Sequence, residues 1–356
     1  NIYPRSALKP IQTLNLYKDG IVDSLNLTEE QIAITTASHH AEKFHLDIIS
    51  NWLKKINVNE ENLSCGHDWP WNLEDKFKAK FQYKNKRKIY HNCSGKHCGH
   101  LAVCTHKNLT IENYQKETHP IQIDLIKLIE NLSEYKIKNI GIDGCTLPNP
   151  FMPLRKFALA ASRLTDYKKL NENEDIAKKI FNSCVNFPEI TGGTNSINCI
   201  LTKLSKKKIF FKNGAEGVFL ALIPEIKSAL VVKILDGAAR AAEIAIAVSA
   251  ALAAPSKILT TSADLISGIK AKNTPSAPFL KNILPFESFV KIQLVLFVPP
   301  VISGKFIHEL KIFFAMSIFS FNFFSSVNRD AANANFFKGI KGFGRVQPSI
   351  PIFFIL

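Results

Sequence analysis

Apolar residues recur at helical spacing over several stretches of the chain. Phe44, Ile48, Ile49 and Leu53 fall on one face of residues 42–56, and Leu154, Phe157, Ala158, Ala161 and Leu164 on one face of 150–167. The same period predicts helices over 97–106, 119–132 and 174–185. Residues 5–19 read as a helix closed by Gly20. Thr28-Glu29-Glu30-Gln31 has capping-box spacing and opens a helix running to Ala37. Shorter apolar runs at 137–142, 208–211, 218–223 and 229–235 predict strands. They are followed by an almost wholly apolar helix over 237–254, whose lack of a polar face predicts burial. Helices and antiparallel strands segregate along the chain, so the expected fold is α+β, with helices packed on an antiparallel sheet. There is no internal repeat.

The pattern changes after residue 255. Residues 279–356 hold 16 of the 26 phenylalanines, no Tyr or Trp, and three acidic residues. No closing strands stand out there. The expected organisation is one catalytic domain over 1–255, followed by an atypical Phe- and Lys-rich region over 256–356. The stretch from Ser303 onward reads as decayed or frame-shifted coding sequence, with a lineage-specific extension as the alternative. Apolar runs near 289–303 and 313–324 are cut by Pro299-Pro300 or too short, so no membrane-spanning helix is expected.

A formal net charge of +15 raises the question of a nucleic-acid partner. Only seven of the 45 basic residues are arginines, and the lysines are scattered. Base readers favour clustered arginine, so the expectation is a bland basic surface and no nucleic acid. Seven cysteines without a compact framework point to a reducing, cytoplasmic setting.

Candidate chemistry begins at Arg5-Ser6-Ala7-Leu8-Lys9-Pro10. On a helix, Ser6 and Lys9 share a face, and a neutral lysine there can take the serine proton. Such a Ser-x-x-Lys pair marks serine β-lactamases and penicillin-binding proteins, although a solvated helix face produces the same spacing. Asn92-Cys93-Ser94-Gly95-Lys96-His97 precedes an apolar-periodic run and reads as a helix start able to receive an anion. Gly141-Ile142-Asp143-Gly144-Cys145 places Asp143 and Cys145 in a turn at a strand end. Lys212-Asn213-Gly214 lies between two apolar runs and is similar to the Lys-Thr-Gly strand that accompanies Ser-x-x-Lys. Ser38-His39-His40 separates two helical stretches.

Together these segments resemble the rhizobial-type L-asparaginases, the asparaginase II family. The resemblance rests on Pro4-Arg5-Ser6 with Lys9-Pro10, Ser38-His39 with Glu42, and Cys65-Gly66-His67. It continues through Asn92 to His97, His119-Pro120, Gly141 to Cys145, Lys212 to Val218 and Asp236 to Glu243, in that order, over residues 3–250. It implies a β-lactamase/glutaminase-like fold, with a pair of strands ahead of residue 3, so the chain is expected to be an N-terminally truncated fragment. It implies hydrolysis of L-asparagine to L-aspartate and ammonia through an acyl-enzyme. It further implies two Ser–Lys pairs, Ser6 with Lys9 and Ser38 with Lys212, the nucleophile being Ser6 or Ser38. Arg5, His39, Asp143 and Gly214 are expected around the substrate, Asp143 as partner of its α-ammonium or as an anchor for Lys96. A zinc site built from Cys93, Lys96 and Cys145, and a homodimer, are implied as well. Two rival readings remain. One is a degenerate homologue without turnover. The other is a basic, zinc-stabilised nucleic-acid module using His91, Cys93, His97, Cys98, His100, Cys104 and His106.

Overall fold

The structure is a computed structural model that describes residues 1–82, 84–166, 174–253 and 292–297. The chain opens with a 3₁₀ turn (Arg5–Leu8), then α1 (Lys9–Thr13), a second 3₁₀ stretch (Leu14–Gly20) and α2 (Ile21–Ser24). The single helix expected over 5–19 is therefore broken. Pro10 has no N–H to give to residue 6, and Lys9 instead donates its N–H to Ser6 O in the tighter 3₁₀ pattern. The chain then kinks at Lys18, and Asp19 (φ 59°) and Gly20 (φ 70°) turn left-handed.

Next come α3 (Glu29–Thr36), α4 (Lys43–Lys55), α5 (Leu73–Gln82), α6 (Ser94–His106) and α7 (Pro120–Ser133). The capping box of α3 forms as expected. Thr28 Oγ1 accepts the Gln31 N–H at 3.3 Å, and Gln31 Oε1 accepts the Thr28 N–H at 2.9 Å. A two-stranded antiparallel ribbon follows, β1 (Asn139–Ile142) and β2 (Pro148–Phe151), then α8 (Leu154–Ser162). The helix expected from Pro150 starts four residues later. Pro148, Pro150 and Pro153 disfavour helical backbone in the residues before them, and Pro153 is the N-cap. The remaining elements are α9 (Glu174–Asn186), α10 (Pro188–Gly192), α11 (Ile197–Leu204), β3 (Phe210–Asn213), β4 (Val218–Ile223), β5 (Ser228–Ile234), α12 (Ala239–Ala253) and β6 (Ile292–Phe297).

Strands β3 to β6 form an antiparallel sheet in the order β3-β4-β5-β6, with Lys212 opposite Leu220 and Val231 opposite Val295. Strand β6 corrects the expectation that no closing strand lies beyond residue 255. Residues 292–297 stand in a Phe-rich stretch of low contrast, so their pattern alone does not mark them out. The sheet is covered on both sides. Phe210, Val218, Leu220 and Leu222 pack with Phe157 and Ala161 of α8 and Ile180 of α9. Phe211, Phe219, Ala221 and Val232 pack with Leu201 of α11 and Ile246 of α12. Burial on both faces explains why β4 reads as the unbroken apolar run VFLALI. A separate core around Trp52 joins α3, α4 and α6 through Ile34, Ile49 and Leu101. Helices and antiparallel sheet are thus combined as α+β. The seam between the sheet and the Trp52 core is where the polar residues gather.

Candidate active site

Ser38 lies two residues past α3, where Ala37 (φ −70°, ψ 148°) has already left helical backbone. The Ser38 N–H donates to Thr191 O at 3.0 Å and the His39 N–H to Asn92 O at 3.2 Å, so α10 and the loop before α6 fix this segment. Lys212, on β3, reaches across the seam. Its Nζ donates to Ser38 Oγ at 2.8 Å, to Asn213 O at 2.7 Å and to Asn213 Oδ1 at 2.9 Å. Lys9 Nζ lies 3.3 Å from the same hydroxyl and also donates to Ala37 O. Both amines are wholly buried. Burial is the main force lowering the pKa of each, that of Lys212 well below the usual lysine range. The Lys9 charge depresses Lys212 further, while Cys93 partly offsets the effect on Lys9. Two ammonium groups against one buried oxygen repel each other, which favours a neutral amine there, the form that accepts a proton.

Ser6 sits beside this pair rather than in it. Among the described residues its hydroxyl makes no hydrogen bond, and the Lys9 amine is held by Ala37 O and Ser38 instead. The expected Ser38–Lys212 pairing is present, whereas the Ser6–Lys9 side-chain contact is absent because the Ala37 carbonyl draws the amine away. Ser6 is half-buried, whereas Ser38 is buried. Next to Ser6, Arg5 adopts φ 54°, a costly conformation for a side-chain-bearing residue. Its Nε donates to Asp143 Oδ1 at 2.8 Å and its Nη1 to Glu216 Oε1, which ties the N-terminal turn to the β1–β2 and β3–β4 turns. Gly214 has a packing role. A Cβ there would come within 2.8 Å of Pro4 O, and its N–H is spent on Val218 O.

Cys93 (the N-cap of α6), Lys96 (its third residue) and Cys145 (in the β1–β2 turn) meet on the other side of Lys9. Lys96 Nζ is 3.2 Å from Cys145 Sγ, and the two thiols influence each other electrostatically. The neighbouring Cys145 thiol, aided by the charges of Lys9 and Lys96, pulls the Cys93 pKa well down; the proximity of Cys93, with burial, pushes that of Cys145 up. Burial opposes the charge on Lys96, yet Cys145, Cys93 and Asp143 outweigh it and raise its pKa. The two sulfurs and the amine expected of a zinc site thus lie together beside Lys9, with the amine held in its protonated form.

His39, expected near the substrate, has both ring nitrogens bonded within the protein. Its Nδ1 accepts the Ala41 N–H at 3.1 Å, which leaves Nε2 to donate to Ser94 Oγ at 2.8 Å, and Ser94 in turn donates to Ile89 O. The rival cluster on α6 does not converge. Among the described residues no group of three His, Cys, Asp or Glu is placed to hold a metal. His97 Nδ1 bonds Tyr114 Oη at 2.6 Å, His106 bonds Asp19 O at 3.1 Å, and Cys98 is walled in by apolar neighbours. Sequence reasoning missed Asn198, which donates to Asn213 Oδ1 at 2.8 Å and accepts the Asn213 N–H at 3.1 Å, holding the residue beside Lys212. Nothing local in the sequence signals that role. Glu216 was likewise missed, although it lies within the Lys212–Val218 segment.

The family model described as L-asparaginase II matches residues 1–272 of the chain. No curated protein matches it.

Proposed function

The chain belongs to the L-asparaginase II family, and from that premise we propose that it hydrolyses L-asparagine to L-aspartate and ammonia through a Ser–Lys acyl-enzyme on a β-lactamase/glutaminase-like framework. The observation that carries the proposal is the convergence of two buried lysine amines of lowered pKa on the Ser38 hydroxyl. Ser6 is the nucleophile. Its oxygen is unbonded among the described residues, it lies at the more open side of the seam beside Arg5, and Lys9 follows one turn later. Lys9 takes the Ser6 proton, and Ser38 passes protons between Lys9 and Lys212. The Ser6 oxygen attacks the side-chain amide carbon of asparagine. The tetrahedral oxyanion collapses with breakage of the C–N bond, a lysine ammonium protonates the departing nitrogen, and ammonia leaves. Water, deprotonated by the same amine, then cleaves the aspartyl ester and restores the serine. Arg5 pairs with the substrate α-carboxylate and Asp143 with its α-ammonium.

Zinc is the proposed cofactor, held by Cys93, Lys96 and Cys145. When bound, it supplies Lewis acidity toward substrate oxygen or nitrogen. Loading the site releases thiol and ammonium protons, so zinc content falls with pH.

A second reading makes Ser38 the nucleophile, favoured by Lys212 at 2.8 Å. Ammonia release from asparagine by wild type, Ser6→Ala and Ser38→Ala decides between them. The primary reading expects Ser6→Ala to remove turnover and the burst of bound aspartyl ester, and Ser38→Ala to slow turnover while keeping the burst. Retained release by Ser6→Ala with loss in Ser38→Ala transfers the nucleophile. No release by wild type from asparagine, glutamine or a β-lactam supports the degenerate homologue.

A further inference from the structure

Helix α5 is bound to the body of the protein by a narrow face on which Ala79 is the only buried residue. Its outward face carries Leu73, Phe77 and Phe81, spaced i, i+4, i+8 in a single stripe and 69%, 59% and 83% exposed. Trp71, 50% exposed, stands just ahead of the helix. A stripe of large apolar side chains left in water marks an interaction surface. Its surroundings are strongly basic, with seven Lys and Arg but only Glu74 and Asp75 as acids across residues 73–88. Lys78 is paired with Glu74, Arg87 with Glu60 and Lys88 with Glu61. Lys76, Lys80, Lys84 and Lys86 have no ion pair among the described residues, and Lys80 packs over the Trp69 ring at 5.7 Å.

We propose that α5 is an interfacial helix that docks the protein on an anionic lipid bilayer. Phe77, Phe81, Leu73 and Trp71 enter the boundary between headgroups and acyl chains, while the unpaired lysines lie against the lipid phosphates. An exposed apolar stripe bordered by lysines is the pattern such helices share, and both halves of it are used at once only by a surface that is anionic above and oily below. A second copy of the chain covers the apolar stripe, but it sets this basic segment against an equally basic one. A nucleic acid neutralises the lysines and leaves Leu73 in water. No helix of the described residues is long and apolar enough to cross a membrane, so the contact is with the surface. The proposal is independent of the chemistry at Ser38.

Flotation of the full chain with vesicles of phosphatidylcholine, with or without one third phosphatidylserine, tests it. The anionic vesicles are expected to bind at least about tenfold more protein than the neutral ones, less so as salt rises. Phe77→Ser with Phe81→Ser lowers that binding about tenfold or more, and Lys80→Glu with Lys84→Glu lowers it comparably. Both variants alter exposed side chains, and their circular dichroism and melting temperature stay at wild-type values. Equal recovery with both vesicles, or binding untouched by the Phe→Ser pair, overturns the proposal. So does light scattering that shows a dimer broken by the Phe→Ser pair when no lipid is bound, since a second copy then covers the stripe.

Discussion

Two groups of buried basic side chains lie close together in this molecule and behave in opposite ways. At the seam, Lys9 and Lys212 converge on one serine oxygen. Within the Trp52 core and its edge, His45, His97 and His100 are buried just as deeply, yet each is a neutral ring and no two of them converge on one hydroxyl. His45 accepts the Glu42 N–H at 3.1 Å and donates to Glu189 O at 3.1 Å, and burial pushes its pKa down to about 4. His97 is bonded to Tyr114, and burial pushes its pKa well below the usual histidine range. The pKa of His100 is pushed down to about 3, mainly by burial and secondarily by Lys96. The contrast teaches that burial alone makes a perturbed base but not a site. The amines differ because they share a hydroxyl, repel each other and abut a turn that Arg5 and Asp143 hold.

The sharpest way to break this comparison is Lys212→Met. Removing the amine is expected to lower kcat for asparagine about 10³-fold, within the range of a lost general acid–base. Urea midpoints should stay level or rise, because an apolar chain replaces a buried amine. A wild-type rate would reduce Lys212 to the same status as the histidines. Gly214→Ala comes next. The new methyl meets Pro4 O at 2.8 Å and displaces the turn that bears Arg5 and Ser6. A displacement of that kind costs on the order of 10² in kcat.

The two groups also separate by pH. The base works unprotonated, so kcat rises with pH through the lowered pKa values of the linked Lys9 and Lys212 amines and falls on the acid side. The histidines act on stability. Unfolded histidines take a proton near pH 6.5, whereas folded His45 and His100 resist until about 4 and about 3. Between those limits the unfolded chain binds more protons. Stability is therefore full above pH 6.5 and declines as pH falls toward 3. Urea midpoints measured against pH should show this decline, and His45→Gln should flatten it without moving the kcat profile. The smallest catalytic effect belongs to His97→Leu. Loss of the 2.6 Å bond to Tyr114 costs about 1–3 kcal/mol of stability, with kcat within a few-fold of wild type.

Much of the framework was legible in the chain. The 42–56 helix, the capped helix after Thr28 and the run VFLALI emerged nearly where expected, because each is set by local period and burial. The helix over 5–19 and the start of α8 were misplaced because single prolines and left-handed residues override the period. Strand β6 was missed because its pairing with β5 is a long-range choice. At the candidate site, the spacing of Ser6 and Lys9 singled out both residues, but did not reveal that the Lys9 amine also reaches Ala37 O and Ser38.

Local chemistry decided which residues are available: the serines, lysines and thiols, the turns that carry them, and the apolar stripe of α5. Which of them meet was decided only by the tertiary structure. Lys212 reaches Ser38 across 174 positions of sequence, and Asn198 secures Asn213 from a different element. The histidines of α6 are left to packing. Spacing along a chain fixes neighbours within a helix turn, whereas desolvation and charge repulsion act between residues that only the packing of separate elements brings into contact.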